Sequence, residues 1–451
     1  MSFVRRVKRT LAAMVALLLA APSLGHAEAC DASVGGLCNP AALSQTLGKL
    51  AAAKPGQPLH VMVLGDSHTA ADLISGALRE RLQAWLGAGG RGVLPPGAPY
   101  PGYAPQQVEV GQSDGWTIEP SLILRVTPEH PAPAPPPFGL TGWRLASAKE
   151  GASLTLDAQR DAFFDRVVVC GLATPSGGGL DATSWGETPT RISFTAEAPG
   201  PVCRTLTLSQ PRSHLQLTLA GGPVSLTSLA VFRGSSGAVL SNLGVVGAQL
   251  RDLAARDDRV MGAELAAYRP DVILLAFGTN EGFDRSLDGA AYDALIHQQL
   301  ARLRRLSPGS EILVLGPPDA DMVRPDIPED GKANAGFDCA PLSDAERRDY
   351  AELTAGRSPR LKRWYPAPGL AVVREAQAKA ALDEGAAFWD WSARLGGACS
   401  AHRMAASDPR LVRGDHVHFT ADGAPLVANR LADDLMAAAT ALRPTASGEP
   451  R

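Results

Sequence analysis

The sequence predicts an α/β domain built on a parallel sheet and interrupted by an antiparallel β segment. Three observations carry this. A buried-type apolar run, Val61-Met62-Val63-Leu64, ends in Gly65 and gives way to helical periodicity. From about residue 105 to 235 the texture changes to short period-two pieces separated by proline and glycine. Strands alternating with crossover helices then resume and continue toward the C-terminus, the pattern of a parallel sheet covered on both faces.

The 451 residues exceed one ordinary domain, and a 45% hydrophobic content is enough for a substantial core. A net charge of -3 with no long basic run beyond the N-terminus gives no electrostatic reason to expect nucleic acid as a partner. Residues 1–29 read as a secretory signal peptide. Arg5, Arg6, Lys8 and Arg9 precede an apolar run over residues 11–21, and small residues follow at Ala27 and Ala29. The run is short for a membrane span, so the mature chain is expected to be periplasmic or secreted, without a span, and monomeric. Export implies an oxidising compartment. Of the connectivities open to the six cysteines, position in the chain favours Cys30–Cys38, Cys170–Cys203 and Cys339–Cys399.

In order, residues 40–53 carry Leu43, Leu47 and Leu50 at helical spacing, and a strand over 60–64 follows. After Ser67, the residues Leu73, Ala77, Leu78, Leu82, Trp85 and Leu86 mark a helix closed by Gly87. The proline run at 131–137 reads as extended surface chain. Strands are expected at 153–156, 166–169, 191–195, 205–208, 214–219 and 224–232, together an antiparallel β-sandwich. Further strands are expected at 239–246, 272–277, 311–315 and 386–389, with helices at 248–255, 289–305, 369–383 and 421–440.

Sites on such sheets sit at the carboxyl ends of the strands, and four pieces of chain fall there. Gly65-Asp66-Ser67-His68 lifts a serine out of a strand-to-helix turn. The others are Asn242-Leu243-Gly244-Val245-Val246-Gly247, Phe277-Gly278-Thr279-Asn280-Glu281 and Asp415-His416-Val417-His418. Ser67 needs a base to act as a nucleophile, and His418 is the candidate. Asp415, three residues before it, can fix the imidazole tautomer and stabilise an imidazolium. The Ser67 and Gly247 amides and the Asn280 side chain can donate to a developing oxyanion. Asp66 reads as a structural residue of the turn, and His68 as a packing or substrate-contact residue. His416 and His418 with Asp415 form a thin set for a metal, and none is expected; no cofactor is expected either. His402 reads as a loop residue, and Trp116, Trp143, Trp389 and Trp391 as core residues rather than sugar platforms.

These four stretches resemble, in order and spacing, the first, second, third and fifth blocks of the SGNH (GDSL-type) hydrolases. The resemblance implies a flavodoxin-like three-layer SGNH fold, with residues 30–104 and 236–451 as the two parts of the hydrolase domain and 105–235 as the inserted β-sandwich. A signal peptide, a split after the first helix and the wording Gly65-Asp66-Ser67-His68-Thr69-Ala70 are similar to the periplasmic peptidoglycan O-acetylesterases, whose inserted module resembles a carbohydrate-binding fold. The activity so implied is a serine esterase that removes O-acetyl groups from a polysaccharide, foremost peptidoglycan. Alternatives using the same residues are a polysaccharide O-acetyltransferase and a plant-polysaccharide acetylesterase. A non-catalytic glycan-binding protein fits less well with a complete set of Ser67, Gly247, Asn280, Asp415 and His418.

Overall fold

The apolar run at 61–64 lies within the strand Leu59–Gly65, every residue of which is buried. This computed structural model describes residues 36–441 apart from 53, 122–136, 328–333 and 335. The expected signal peptide, the Cys30–Cys38 pairing and most of the proline run lie outside the described residues. Leu59–Gly65 belongs to a six-stranded sheet ordered Leu37–Cys38, Ala387–Asp390, Glu311–Gly316, Val272–Ala276, Leu59–Gly65, Ala238–Gly244. All neighbours are parallel except the edge strand Leu37–Cys38, which runs antiparallel to Ala387–Asp390. Strands covered on both faces have no solvent side, and for that reason Leu59–Gly65, Val272–Ala276 and Glu311–Gly316 read as largely apolar runs.

One face of the sheet packs on the helices Ser44–Ala52, Leu73–Leu86 and Ala424–Ala441 through Leu47, Leu78, Leu82, Val427 and Leu431. The other packs on Leu250–Ala254, Asp258–Tyr268, Gly289–Leu306 and Gly369–Asp383. These are the three layers of an SGNH hydrolase fold. Two expectations change in detail. The helix after Ser67 is two helices, Ser67–Ala70 and Leu73–Leu86, because Asp72 between them takes a left-handed conformation with φ +52°. The helix Asp258–Tyr268 is absent from the sequence reading, which ran from one helix at 248–255 directly to the strand at 272.

The middle of the chain forms two antiparallel sheets. The first is ordered Thr190–Ser193, Gly179–Thr183, His214–Ala220, Ser153–Ala158, Val108–Gln112. The second is ordered Gly200–Arg212, Phe164–Ala173, Val224–Phe232, Trp143–Ser147, Thr117–Pro120, and Gly92–Leu94 also pairs with Val224–Phe232. Leu154, Leu156, Leu215 and Leu217 of the first sheet share a core with Val167, Val169, Leu226 and Leu229 of the second. The alternate residues of the second sheet, Val168, Cys170, Ala230 and Phe232, belong to the core of the parallel sheet. The central strands Phe164–Ala173 and Val224–Phe232 of this second sheet are therefore buried on both faces. Glu264 on the helix Asp258–Tyr268 closes the joint, accepting from the Leu140 amide and the Thr227 and Ser228 hydroxyls.

Cys170 and Cys203 are register partners on neighbouring strands and are bonded to each other, and Cys339 is bonded to Cys399, as expected. Trp143, Trp389 and Trp391 are buried, and Trp389 donates to Asp434. Trp116 is partly buried and donates to the Ser153 carbonyl. Trp185, which the sequence reading passed over, is 79% exposed.

Candidate active site

The strand Leu59–Gly65 is flanked in register by Ala238–Gly244 and Val272–Ala276, with Gly65 opposite Gly244 on one side and Ala276 on the other. Three strands thus end at one level, and the loops that follow them are neighbours. Ser67 opens the helix Ser67–Ala70 and keeps part of its surface in solvent. The first amides of a helix lack intrahelical partners, so the Ser67 N–H is free to meet a ligand. Asp66 caps this turn by accepting the His68 amide at 2.9 Å.

The helix is held close to the sheet by the second block. A Cβ at Gly244 would lie 2.1 Å from the Ala70 nitrogen, so only glycine allows this approach. Asn242 donates to the Thr69 carbonyl at 2.6 Å and to Asp72 at 3.0 Å. Asp72 also accepts from Arg79 at 2.8 Å and Arg91 at 3.2 Å, all three side chains being buried. Burial opposes the Asp72 charge, but the two guanidiniums outweigh it and hold the carboxyl well below the usual range. Sequence reasoning missed Asp72, Arg79 and Arg91. Arg79 sits on a helix that otherwise reads as half-exposed, and Asp72 and Arg91 lie just outside its two ends, so their buried charges give no local signal.

Ser67 Oγ lies 2.9 Å from His418 Nε2. His418 Nδ1 lies 2.8 Å from Asp415 Oδ2, and Asp415 Oδ1 accepts the amides of Val417 at 2.9 Å and His418 at 3.0 Å. Burial works against the Asp415 charge, but the His418 ring and these two amides prevail and keep the carboxyl well below its ordinary range. The three residues thus form one continuous hydrogen-bonded chain. With Nδ1 donating to the carboxylate, Nε2 is the proton acceptor facing the serine.

Gly247 lies on the exposed loop after Ala238–Gly244 with φ +77°, and a Cβ there would meet nothing within 4 Å. The backbone conformation requires glycine, and the space above it is open. Asn280 is in the helix Thr279–Phe283, just past Val272–Ala276, and donates to the Ala248 carbonyl at 2.9 Å. Gly278, not Asn280, is the N-cap of that helix. The neighbouring Glu281 is buried. It accepts the Leu250 amide at 2.7 Å, and burial pushes its carboxyl up to about 7.

His416 turns away from His418 and stacks on Trp364 at 3.6 Å. Its ring is 5.1 Å from that of His402. His402 was expected in a loop but lies on the short helix Ser400–Ala405, its amide donating to Asp321 at 2.8 Å. Burial, reinforced by His402, lowers His416 to about 4.

Residues 224–425 match the GDSL-like Lipase/Acylhydrolase family. The chain carries a GDSL-like acylhydrolase domain and is a carboxylic ester hydrolase. The match begins at Val224 and leaves Ser67 out; parallel pairing of Leu59–Gly65 with Ala238–Gly244 brings the serine into the acylhydrolase domain. A solved peptidoglycan O-acetylesterase overlays on 89% of this chain and 96% of its own at a TM-score of 0.68 and 22% identity, which shows a shared fold. A putative GDSL-like lipase from Parabacteroides merdae covers 46% of this chain and 74% of its own, with a TM-score of 0.29 and 18% identity. A carbohydrate esterase family 2 enzyme with a carbohydrate binding domain from Corynascus thermopiles (Myceliophthora fergusii) covers 65% and 95%, with a TM-score of 0.28 and 13% identity. These last two overlays are too loose to bear on the fold. A sequence search of curated proteins returns no match.

Proposed function

We propose that this hydrolase is a serine esterase that removes O-acetyl groups from a polysaccharide, with O-acetylated peptidoglycan as the substrate. The observation that carries the chemistry is the chain from Ser67 Oγ through His418 to Asp415, with links of 2.9 and 2.8 Å. His418 Nε2 takes the Ser67 proton as Oγ attacks the acetyl carbonyl carbon. The tetrahedral oxyanion is met by the Ser67 and Gly247 amides and the Asn280 amide group. His418 then hands its proton to the departing sugar oxygen, leaving acetyl-Ser67. Water, deprotonated by the same nitrogen, releases acetate and restores the serine.

The polysaccharide reading is supported by the shared fold with a peptidoglycan O-acetylesterase and by the two antiparallel sheets. We read residues 105–235 as an inserted sandwich that presents the polymer. On the strand His214–Ala220, polar His214, Gln216 and Thr218 alternate with buried leucines. Exposed Trp185 lies 5.9 Å from the His214 ring, and an exposed aromatic ring is a surface on which a sugar can stack. The disulfides at 170–203 and 339–399 fit the oxidising environment in which such a polymer is met.

Acetate release from O-acetylated peptidoglycan and from acetylated xylan, each with and without a glycan acceptor, tests this reading. Peptidoglycan should be the faster substrate, with free acetate as the product. Ser67→Ala and His418→Ala should lower turnover of an activated acetyl ester by at least about a thousandfold with Tm retained. Trp185→Ala should slow release from polymer while sparing the small ester. Near-normal turnover by Ser67→Ala would overturn the chemistry, and preference for xylan would overturn the substrate.

A further inference from the structure

His68 follows Ser67 directly, yet its side chain is buried. Its ring stacks on His418 at 5.5 Å and 27°, and meets Trp391 and Phe419 edge-on at 5.5 and 6.1 Å. Both ring nitrogens face acceptors. Nε2 lies 3.0 Å from the Val417 carbonyl oxygen, which has no proton to give, so Nε2 carries one. Nδ1 lies 3.2 Å from Asp66 Oδ1, and that same oxygen accepts the His68 backbone amide at 2.9 Å. An oxygen already accepting one N–H favours the ionised carboxylate, so Nδ1 carries a proton as well.

We propose that His68 is a positioning residue held as an imidazolium, tying the Ser67 turn to the His418 loop through Asp66 on one side and Val417 on the other. The Val417 carbonyl belongs to the same peptide group as the His418 amide. That amide donates to Asp415 at 3.0 Å. The peptide plane carrying His418 is therefore pinned at its oxygen by His68 and at its nitrogen by Asp415. Rotation of this plane would swing the imidazole away from Ser67, and a misplacement of about 1 Å is enough to lower a rate about a hundredfold.

The titratable groups facing His68 are Asp66 in its own turn and Asp415 and His418 on the opposing loop, and Asp66 in turn disfavours charge on the buried Glu281. Burial disfavours a charge on His68, but Asp66, the Val417 carbonyl and Asp415 outweigh it and raise its affinity for a proton. A cation stacked on His418 opposes a second positive charge there. Its removal would leave the Asp66 anion uncompensated, so the acid limb of the activity profile should move to higher pH.

This rests on the serine-esterase reading for its kinetic part only; the protonation state is read without it. Ring nitrogen and proton NMR of the full chain, with the His68 signals assigned by their loss in His68→Gln, should show both nitrogens protonated at pH 7 to 8. His68→Leu should lower kcat on a small acetyl ester about a hundredfold with little change in KM. His68→Gln, whose amide can reach the Val417 carbonyl, should recover at least about tenfold of that loss. In both variants the acid limb should shift upward by about half a pH unit or more. A singly protonated His68 ring at pH 7, or a folded His68→Leu with wild-type kcat and pH profile, would overturn the proposal. If His68→Leu does not fold, the NMR measurement on the wild type and the His68→Gln profile decide it. A doubly protonated ring together with an active Ser67→Ala would sink the esterase chemistry and leave the imidazolium standing.

Discussion

Asp415 meets His418 through both carboxylate oxygens, Oδ2 at ring Nδ1 and Oδ1 at the backbone amide. The carboxylate is thereby fixed in place before any proton moves. In Asp415→Asn the carbonyl can keep the two amide bonds, but the NH2 group would donate to Nδ1 and turn the imidazole into the wrong tautomer. The expected outcome is a kcat lower by about a thousand- to ten-thousandfold with Tm nearly kept. The folded pKa of Asp415 is depressed from 3.8, so its contribution to stability is present above that value and is lost as pH falls through the lower folded one. Asp415 therefore stays ionised through mild acid, and activity measured between pH 5 and 8 should show a single acid limb.

Asn280 should act in the transition state and not as a cap, since Gly278 holds the N-cap position. Asn280→Ala should lower kcat about a hundred- to a thousandfold with KM little changed. Loss of the bond to the Ala248 carbonyl should lower stability by about 1 kcal/mol. Kinetics and Tm on one preparation check both. A lowered Tm with near-wild-type kcat would make Asn280 a structural residue only.

Glu281 should make stability depend on pH in the unusual direction for a carboxylate. Its folded pKa is raised from 4.5 to about 7, chiefly by burial. The folded state then holds its proton more tightly than the unfolded chain, so the stabilisation is present below 4.5 and is lost as pH rises through about 7. Tm should fall between pH 5 and 8, and Glu281→Gln, which keeps an acceptor for the Leu250 amide, should flatten that slope. Parallel pH curves for the two proteins would refute this.

Asp72 should be the most costly of the polar residues near the site to remove. Asp72→Ala leaves Arg79 and Arg91 buried without their shared anion and frees Asn242 from one of its partners. A loss of about 3–5 kcal/mol is expected in denaturant unfolding. A loss under about 1 kcal/mol would mean that water or another carboxylate takes its place.

The residues of the candidate site were legible because each stands where chain punctuation is strongest. Ser67 and Gly247 follow strands whose apolar runs end at or near a glycine, and Asp415 and His418 are three residues apart in a turn. The parallel strands Leu59–Gly65, Val272–Ala276 and Glu311–Gly316 were legible as largely apolar runs, whereas Ala238–Gly244 is broken by Ser241 and Asn242 and the two-residue edge strand Leu37–Cys38 left no pattern to read. What escaped depends on partners far off in the chain. His68 reads as a packing or substrate-contact residue, and its tie to the His418 loop emerges only when Val417, 349 positions away, is seen at its ring. The helix Asp258–Tyr268 was hidden because Glu264, on its buried side, is polar and is satisfied by Leu140, Thr227 and Ser228. The strands Val108–Gln112, Thr117–Pro120 and Gly179–Thr183 are short and partly polar, and their pairing partners, not their own pattern, make them strands.

The strand that leads into the Ser67 turn also has a bearing on how the chain is made. Leu59–Gly65 finds its first sheet neighbour only at Ala238–Gly244, and its second at Val272–Ala276. Synthesis from the N-terminus therefore leaves one of the most apolar stretches of the protein unpaired while about 170 further residues emerge, and such long-range pairing is slow to form. The doubly buried strands Phe164–Ala173 and Val224–Phe232 have the same difficulty in reverse, since one of their faces waits for Leu250, Met261 and Leu265. Neither half can mature ahead of the other. Both sets of contacts can close only once the chain has emerged to about residue 276, and a ribosome stalled or a chain cut near residue 240 would release a sticky fragment instead of a working module.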